Sequence, residues 1–326
     1  MHFDSAATPA LWVGFTVLVL GLLAVDLFVL HRKPHAVRPR EALIWALVYA
    51  SLAMLFCGGV YLRFGGDTAL EFLAGNVIEE ALSVDNLFVF LVLFGYFHVP
   101  AELQHRVLFW GVVGALVLRA IFILLGASLI QSFHGVTYIF GGFLVVTGIR
   151  LLFRHDGQVH PERNPMLRLL RRILPVTDSY RGTHFTVVEK GRRHATPLLL
   201  VLVLIEGTDL VFAVDSIPAV FAVTTDPFIV YTSNIFAILG LRSLYFALAG
   251  MMERFHYLKV GLALVLAFVG AKMLVASVFK IPIGWSLGVV VALLAGSVAA
   301  SLLRKGGVKD PARTPAGPRA DPAAGP

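Results

Sequence analysis

Asn76-Val77-Ile78-Glu79-Glu80-Ala81-Leu82-Ser83-Val84-Asp85-Asn86 sets three carboxylates inside a run otherwise apolar enough to cross a membrane. A second stretch answers it downstream: Glu206-Gly207-Thr208-Asp209-Leu210-Val211-Phe212-Ala213-Val214-Asp215-Ser216-Ile217-Pro218. Setting Asp85 on Asp215 superposes Asn76 on Glu206, Glu79 on Asp209 and Asn86 on Ser216 without a gap. An ionisable group at the centre of a bilayer costs about 2.5–3.5 kcal/mol on insertion scales and marks a functional site by default. Two matching clusters make an accident a poor explanation.

The whole chain agrees with a membrane reading. Its 326 residues are 58% hydrophobic and 14% charged, against about 25% charged in soluble domains. A span needs about 20 apolar residues. Nine segments qualify, near 10–30, 42–62, 69–97, 106–130, 134–153, 197–223, 228–250, 258–279 and 283–303. The fold class is therefore all-α and polytopic. The first stretch lacks a basic leader and reads as a span rather than a cleaved signal. Cys57 is the single cysteine, so no disulfide framework exists.

Of the 27 Lys and Arg residues, 21 fall on one set of loops and only Arg63 and Lys280 on the other, while Arg119, Arg150, Arg242 and Lys272 lie within spans. The positive-inside rule then puts the N-terminus outside and the C-terminus in the cytoplasm. The net charge of +7 becomes a topology signal, which removes the case for nucleic-acid binding.

The repeat extends past the acids. Arg119 in Leu116-Val117-Leu118-Arg119 matches Arg242 in Leu239-Gly240-Leu241-Arg242, and Gly148-Ile149-Arg150-Leu151 matches Gly270-Ala271-Lys272-Met273. Spans three to five (69–153) thus repeat as spans six to eight (197–279). Three crossings separate them, so the halves are inverted, a plan that transporters use with the substrate site near the midplane. The spans fill residues 1–303. Residues 154–196 form a basic cytoplasmic loop, in which Arg163 to Leu174 reads either as an amphipathic helix on anionic lipid or as plain loop. Residues 304–326, rich in Pro, Ala and Gly, read as a disordered cytoplasmic tail.

On an ideal helix, Asn76, Glu79, Ser83 and Asn86 share one face, as do Glu206, Asp209 and Ser216. Asp85 and Asp215 lie beside that stripe and would join it if the helices unwound. Pro218 suggests such a break, with freed carbonyls as further ligands. Glu79, Asp85, Asp209 and Asp215 are the candidate metal ligands. Asn76, Glu80, Ser83, Asn86, Glu206, Ser216, Arg119 and Arg242 stand as supporting polar groups, Glu80 being matched only by Leu210. An oxygen-only set suits Mg²⁺, Ca²⁺ or Mn²⁺ rather than zinc or copper thiolate chemistry. The competing structural reading has the acids bonded to Arg119 and Arg242, locking the bundle. Both hold if the arginines fix some carboxylates while others bind the ion. The loop histidines His155, His160, His184 and His194 read as solvated.

Both acid motifs, and the order of spans over roughly residues 10 to 303, resemble the TerC family of bacterial membrane proteins, including its Alx-like members. That resemblance implies an inner-membrane protein of a family named for tellurium resistance, with members implicated in manganese export. It carries Glu79, Asp85, Asp209 and Asp215 over as ion-handling residues. The expectation is a secondary transporter moving Mn²⁺ out of the cytoplasm, with no prosthetic group and no enzymatic activity. Its partners are the divalent ion and the bilayer. Alternatives are Ca²⁺ transport, or a scaffold in a tellurite or stress-resistance complex with partner proteins or further copies of itself.

Overall fold

The computed structural model describes residues 7–25, 39–133, 135–153, 167–169, 172, 174–189, 191–249, 257–276, 278–279 and 281–303. Among them run nine long helices: α1 (Pro9–Val25), α2 (Pro39–Phe64), α3 (Gly66–Tyr96), α4 (Ala101–Ser132), α5 (Gly135–Phe153), α6 (Pro197–Phe221), α7 (Pro227–Leu248), α8 (Leu258–Val275) and α9 (Ile283–Leu303). Strands β1 (Thr186–Glu189) and β2 (Arg192–Ala195) form an antiparallel hairpin between α5 and α6.

Proline starts α2, α6 and α7, where its fixed φ suits the first turn and its missing N–H is no loss. Asp226 caps α7 by accepting from Phe228 N at 2.8 Å. α2 and α4 to α9 are long and apolar enough to cross a membrane. α1 is an apolar helix of 17 residues. α3, at 31 residues, carries Asp67, Glu71, Glu79, Glu80 and Asp85 and falls outside that group. The best apolar window of α7 is 83% buried against 17% in α2 and α5. α7 is therefore the central helix, and Leu43, Ile44, Leu47 and Ile139 are among the side chains left to lipid.

Helix contacts respect an exchange of halves. α3 packs on α6 and α7, α4 packs on α7 and α6, and α5 packs on α8 more extensively than any other pair. The α5–α8 crossing carries the exchange down to single atoms. A β-carbon at Gly148 would lie 2.6 Å from Ala263 O and 2.8 Å from Ala267 N. One at Gly270 would lie 2.7 Å from Gly141 O and 2.8 Å from Val145 N. Matching Gly148 with Gly270 sends Ala263 to Gly141 and Ala267 to Val145, so each contact is the image of the other. Small residues let backbones approach this closely in membranes.

Three expectations change. α6 runs unbroken through Pro218 to Phe221. The proline lies in the last turn, so only the carbonyl four residues back loses its donor. α3 is likewise continuous. The segment 154–196 is not loop throughout, because β1 and β2 form a hairpin with Gly191 at φ 74° in its turn. Most of Arg163 to Leu174 and the whole tail from 304 lie outside the described residues.

The hairpin is tied to the helices. Thr177 N donates to Ala195 O at 2.9 Å and Ala195 N to Pro175 O at 2.8 Å. The Tyr180 hydroxyl donates to Phe97 O at 2.7 Å, where α3 ends. Burial pushes that phenol up to about 12, above its free value of about 10. The protonated form is thus the one the fold favours. Its contribution is full below about pH 10 and is lost as pH rises through about 12.

Gly148→Val and Gly270→Val should each destabilise the protein by about 1–3 kcal/mol through overpacking, read as matched falls in melting temperature in detergent. Gly142→Ala, whose β-carbon meets nothing within 4 Å, should not lower that temperature, since alanine favours a helix interior over glycine by about 0.5–1 kcal/mol. Tyr180→Phe should weaken hairpin docking by about 0.5–1.5 kcal/mol, measured as faster hydrogen exchange at Thr177 and Ala195 below pH 10.

Candidate functional site

Four helices converge on one guanidinium. Arg119 of α4 is 0% exposed. Its Nη1 donates to Glu79 Oε1 of α3, to Asn234 Oδ1 of α7 at 2.8 Å and to Ser216 Oγ of α6 at 3.4 Å. Nη2 donates to Asp209 Oδ1 of α6 at 3.2 Å. Asn234 returns its amide to Glu79 Oε2 at 2.9 Å. Ser83 Oγ donates to Glu79 Oε1 at 3.3 Å, and Asn86 Nδ2 to Asp209 Oδ1 at 3.4 Å. Planar guanidinium donors match carboxylate acceptors, and pairing is what makes burial of these charges tolerable.

The α3–α6 crossing has the repeat's symmetry. Asn86 meets Asp209 directly, while Arg119 bridges Glu79 to Ser216. Each pair is the image of the other. Later residues of α3 meet earlier ones of α6, so the two helices run antiparallel.

A cavity of about 620 Å³ opens beside this floor. Glu79, Asn86, Arg119 and Ser216 line its inner end, and Asp85 and Asp215 line its wall. It continues along α5 through Thr147 to the exposed Arg150 and Phe153. Thr147 Oγ1 donates to Asp215 Oδ1 at 3.4 Å. The four candidate ligands therefore separate into two image pairs. Glu79 and Asp209 are ion-paired with Arg119. Asp85 and Asp215, both half-buried, face the cavity. Among the described residues, no three His, Cys, Asp or Glu side chains gather as a metal cluster would. Asn86 Oδ1 and Asp209 Oδ2 are buried acceptors without a hydrogen-bond partner.

The remaining candidates spread outward. Asn76 is buried, its Oδ1 also without a partner. Glu206 is half-buried and rests against Gly114 of α4. Glu80 is half-buried and does not line the cavity. Arg242, 7% exposed, flanks Asp209 around a small void between α4, α6 and α7.

Two positions of the site escape the sequence reading. Asn234 sits at the centre of the charge network, and Thr147 holds Asp215. The signal that finds the acids is repetition, and these two have apolar images, Gly111 and Val269. A polar run, Thr232-Ser233-Asn234, inside an apolar span is the cue that points to Asn234.

The profile described as "Integral membrane protein TerC family" matches residues 64–308. The chain belongs to the TerC family. A membrane protein of Myxococcus xanthus is 52% identical over 302 residues, covering 93% of this chain and 95% of its own length. An Escherichia coli K12 relative, named "Putative membrane-bound redox modulator Alx", is 49% identical over 300 residues, covering 89% and 94%. A Rickettsia bellii membrane protein is 40% identical over 294 residues, covering 90% and 97%. Among solved structures, none matches the chain.

Arg119→Met should cost about 3–5 kcal/mol, because it strands two buried carboxylates. Adding Glu79→Gln and Asp209→Asn should recover most of that loss, since removing the whole ion cluster is close to neutral. Thermal unfolding of the three proteins in detergent checks both statements.

Proposed function

We propose that this TerC-family protein is a divalent-cation transporter that exports Mn²⁺ from the cytoplasm across the bacterial inner membrane. The observation that carries this reading is that Asp85 and Asp215, images of one another in the two repeats, line one cavity between them. Asn86 and Ser216 add amide and hydroxyl oxygens at its inner end, and Thr147 another on the wall. Such a donor set is hard and oxygen-only, suited to Mn²⁺, Mg²⁺ or Ca²⁺. With two carboxylates facing the cavity, the ion is held partly hydrated, water completing its shell. Mn²⁺ is cargo here, not a resident cofactor, and no covalent chemistry is assigned to the protein.

The sorting of Lys and Arg supports an external N-terminus and a cytoplasmic C-terminus. The mouth at Arg150 and Phe153 then faces the cytoplasm, where an exporter must collect its ion. The 154–196 segment lies on the same side. Redox modulation, in the name of the Escherichia coli relative, stays with that relative. This chain's one thiol, Cys57, belongs to α2 and is not part of the cavity wall.

Expression in an exporter-deficient bacterium under manganese stress should lower cellular Mn and raise tolerance. Losing one partner around a metal costs about 10- to 100-fold in affinity or activity. Asp85→Asn with Asp215→Asn should therefore cut Mn²⁺ flux by at least about tenfold at equal expression. The double variant should keep the melting temperature of the parent, because Arg119 retains Glu79 and Asp209. Equal Mn²⁺ flux in variant and parent would remove Asp85 and Asp215 from the pathway. Flux of Ca²⁺ without Mn²⁺ in the same cells would replace the cargo.

A further inference from the structure

The α5–α8 contact obeys the exchange of repeats to about a tenth of an ångström in its closest approaches, but the cavity does not obey it. Repeat matching sends the wall residues Phe143, Thr147 and Leu151 of α5 to Val265, Val269 and Met273 of α8. The first three are exposed or half-buried along the cavity. Their images are 0%, 1% and 4% exposed. They pack with Leu144 of α5 against Ile78 of α3 and Ala219 of α6 in one apolar cluster. One end of the site is open and its image is sealed.

Beyond the seal the image is charged. Lys272, the counterpart of Arg150, lies within electrostatic reach of Glu71, as do Asp67 and Asp226. The contacts also identify two bodies. α3 and α4 each pack extensively on α6 and α7, α5 and α8 pack chiefly on each other, and only sparse contacts join the pair to the four. α9, which packs on α8 and α3 beside the sealed end, has no image in the first repeat.

We propose that the α5–α8 pair tilts as one body against the α3/α4/α6/α7 core, parting Leu144, Val265, Val269 and Met273 from Ile78 and Ala219. A second mouth then opens at Lys272 and Glu71, on the face opposite Arg150. This rests on the transporter reading and supplies its exit. The moving seam is the one with sparse contacts, while the glycine-packed seam is carried through unchanged. The second mouth takes the same cargo, a hydrated divalent cation, past carboxylates at Asp67, Glu71 and Asp226.

The test uses the full chain in a Cys57→Ser background, with one cysteine at Leu151→Cys or at Met273→Cys. Right-side-out and inverted membrane vesicles are treated with a membrane-impermeant maleimide, and Mn²⁺ flux is measured on the same vesicles. Leu151→Cys should react from the face carrying the 154–196 segment. Met273→Cys should react from the opposite face alone. A minor state populated at about 0.1–10% gives labelling about 10- to 1,000-fold slower than at an open thiol. Val269→Cys is read in the same way and serves if Met273→Cys does not accumulate. The gate is overturned if both positions stay unlabelled while Mn²⁺ still flows, or if they react from the same face as Leu151→Cys. Face-specific labelling without Mn²⁺ flux overturns the cargo and leaves the gate standing.

Discussion

A guanidinium with 0% exposure exists in this protein because two carboxylates and a carboxamide surround it. Moving an ion of that size into a low-dielectric interior costs several kcal/mol even after relaxation. Arg119 meets that cost with Glu79, Asp209 and Asn234, which come from three other helices. None of the four helices can shift without breaking a charge-assisted bond. Buried ion clusters are weak evidence for stability as such, since well-packed apolar groups do as well. What the cluster supplies is register. It fixes α3, α4, α6 and α7 as one body and sets where the neighbouring acids fall.

That arrangement divides the repeat's labour. Glu79 and Asp209 are images, and a symmetric molecule would give each its own arginine. Here the first-repeat arginine, Arg119, takes both, while its image Arg242 flanks Asp209 at the edge of a small void. Asp85 and Asp215 instead line the cavity. The structural and the ion-handling readings of the acids are therefore not rivals. Each concerns a different image pair, the ion-handling one being the proposal.

Much of this is legible in the sequence, because spans and repeats leave one-dimensional traces. Apolar length gives α1 to α9, with boundaries close to those observed, and motif-by-motif matching pairs Glu79 with Asp209 and Gly148 with Gly270. What escapes is whatever lacks a repeat or depends on packing. Asn234 and Thr147 have apolar images, so matching passes over them. The hairpin Thr186–Ala195 lies in a basic segment whose alternation is too short to separate from loop. Pro218 reads as a break, yet a proline in the last turn leaves little helix beyond it to disrupt. The partition of the acids between Arg119 and the cavity is a three-dimensional fact that no spacing encodes.

Charge and hydrocarbon together limit how such a site can work. With both acids ionised, Glu79, Asp209 and Arg119 carry one net negative charge between them, and Asp85 and Asp215 add two more. Charge is expensive at membrane depth, and the carboxylates of Asp85 and Asp215 share the cavity wall with the guanidinium of Arg150. On the proposed reading, a divalent ion matches these two carboxylates in charge. The same charge would leak small cations freely if water reached it from both faces at once. The apolar cluster of Leu144, Val265, Val269 and Met273 prevents that, because a dry apolar constriction excludes a hydrated ion. On the proposed reading, a cation-seeking site is compatible with an insulating membrane only while one end is sealed, and the asymmetry of this otherwise symmetric fold provides a sealed end.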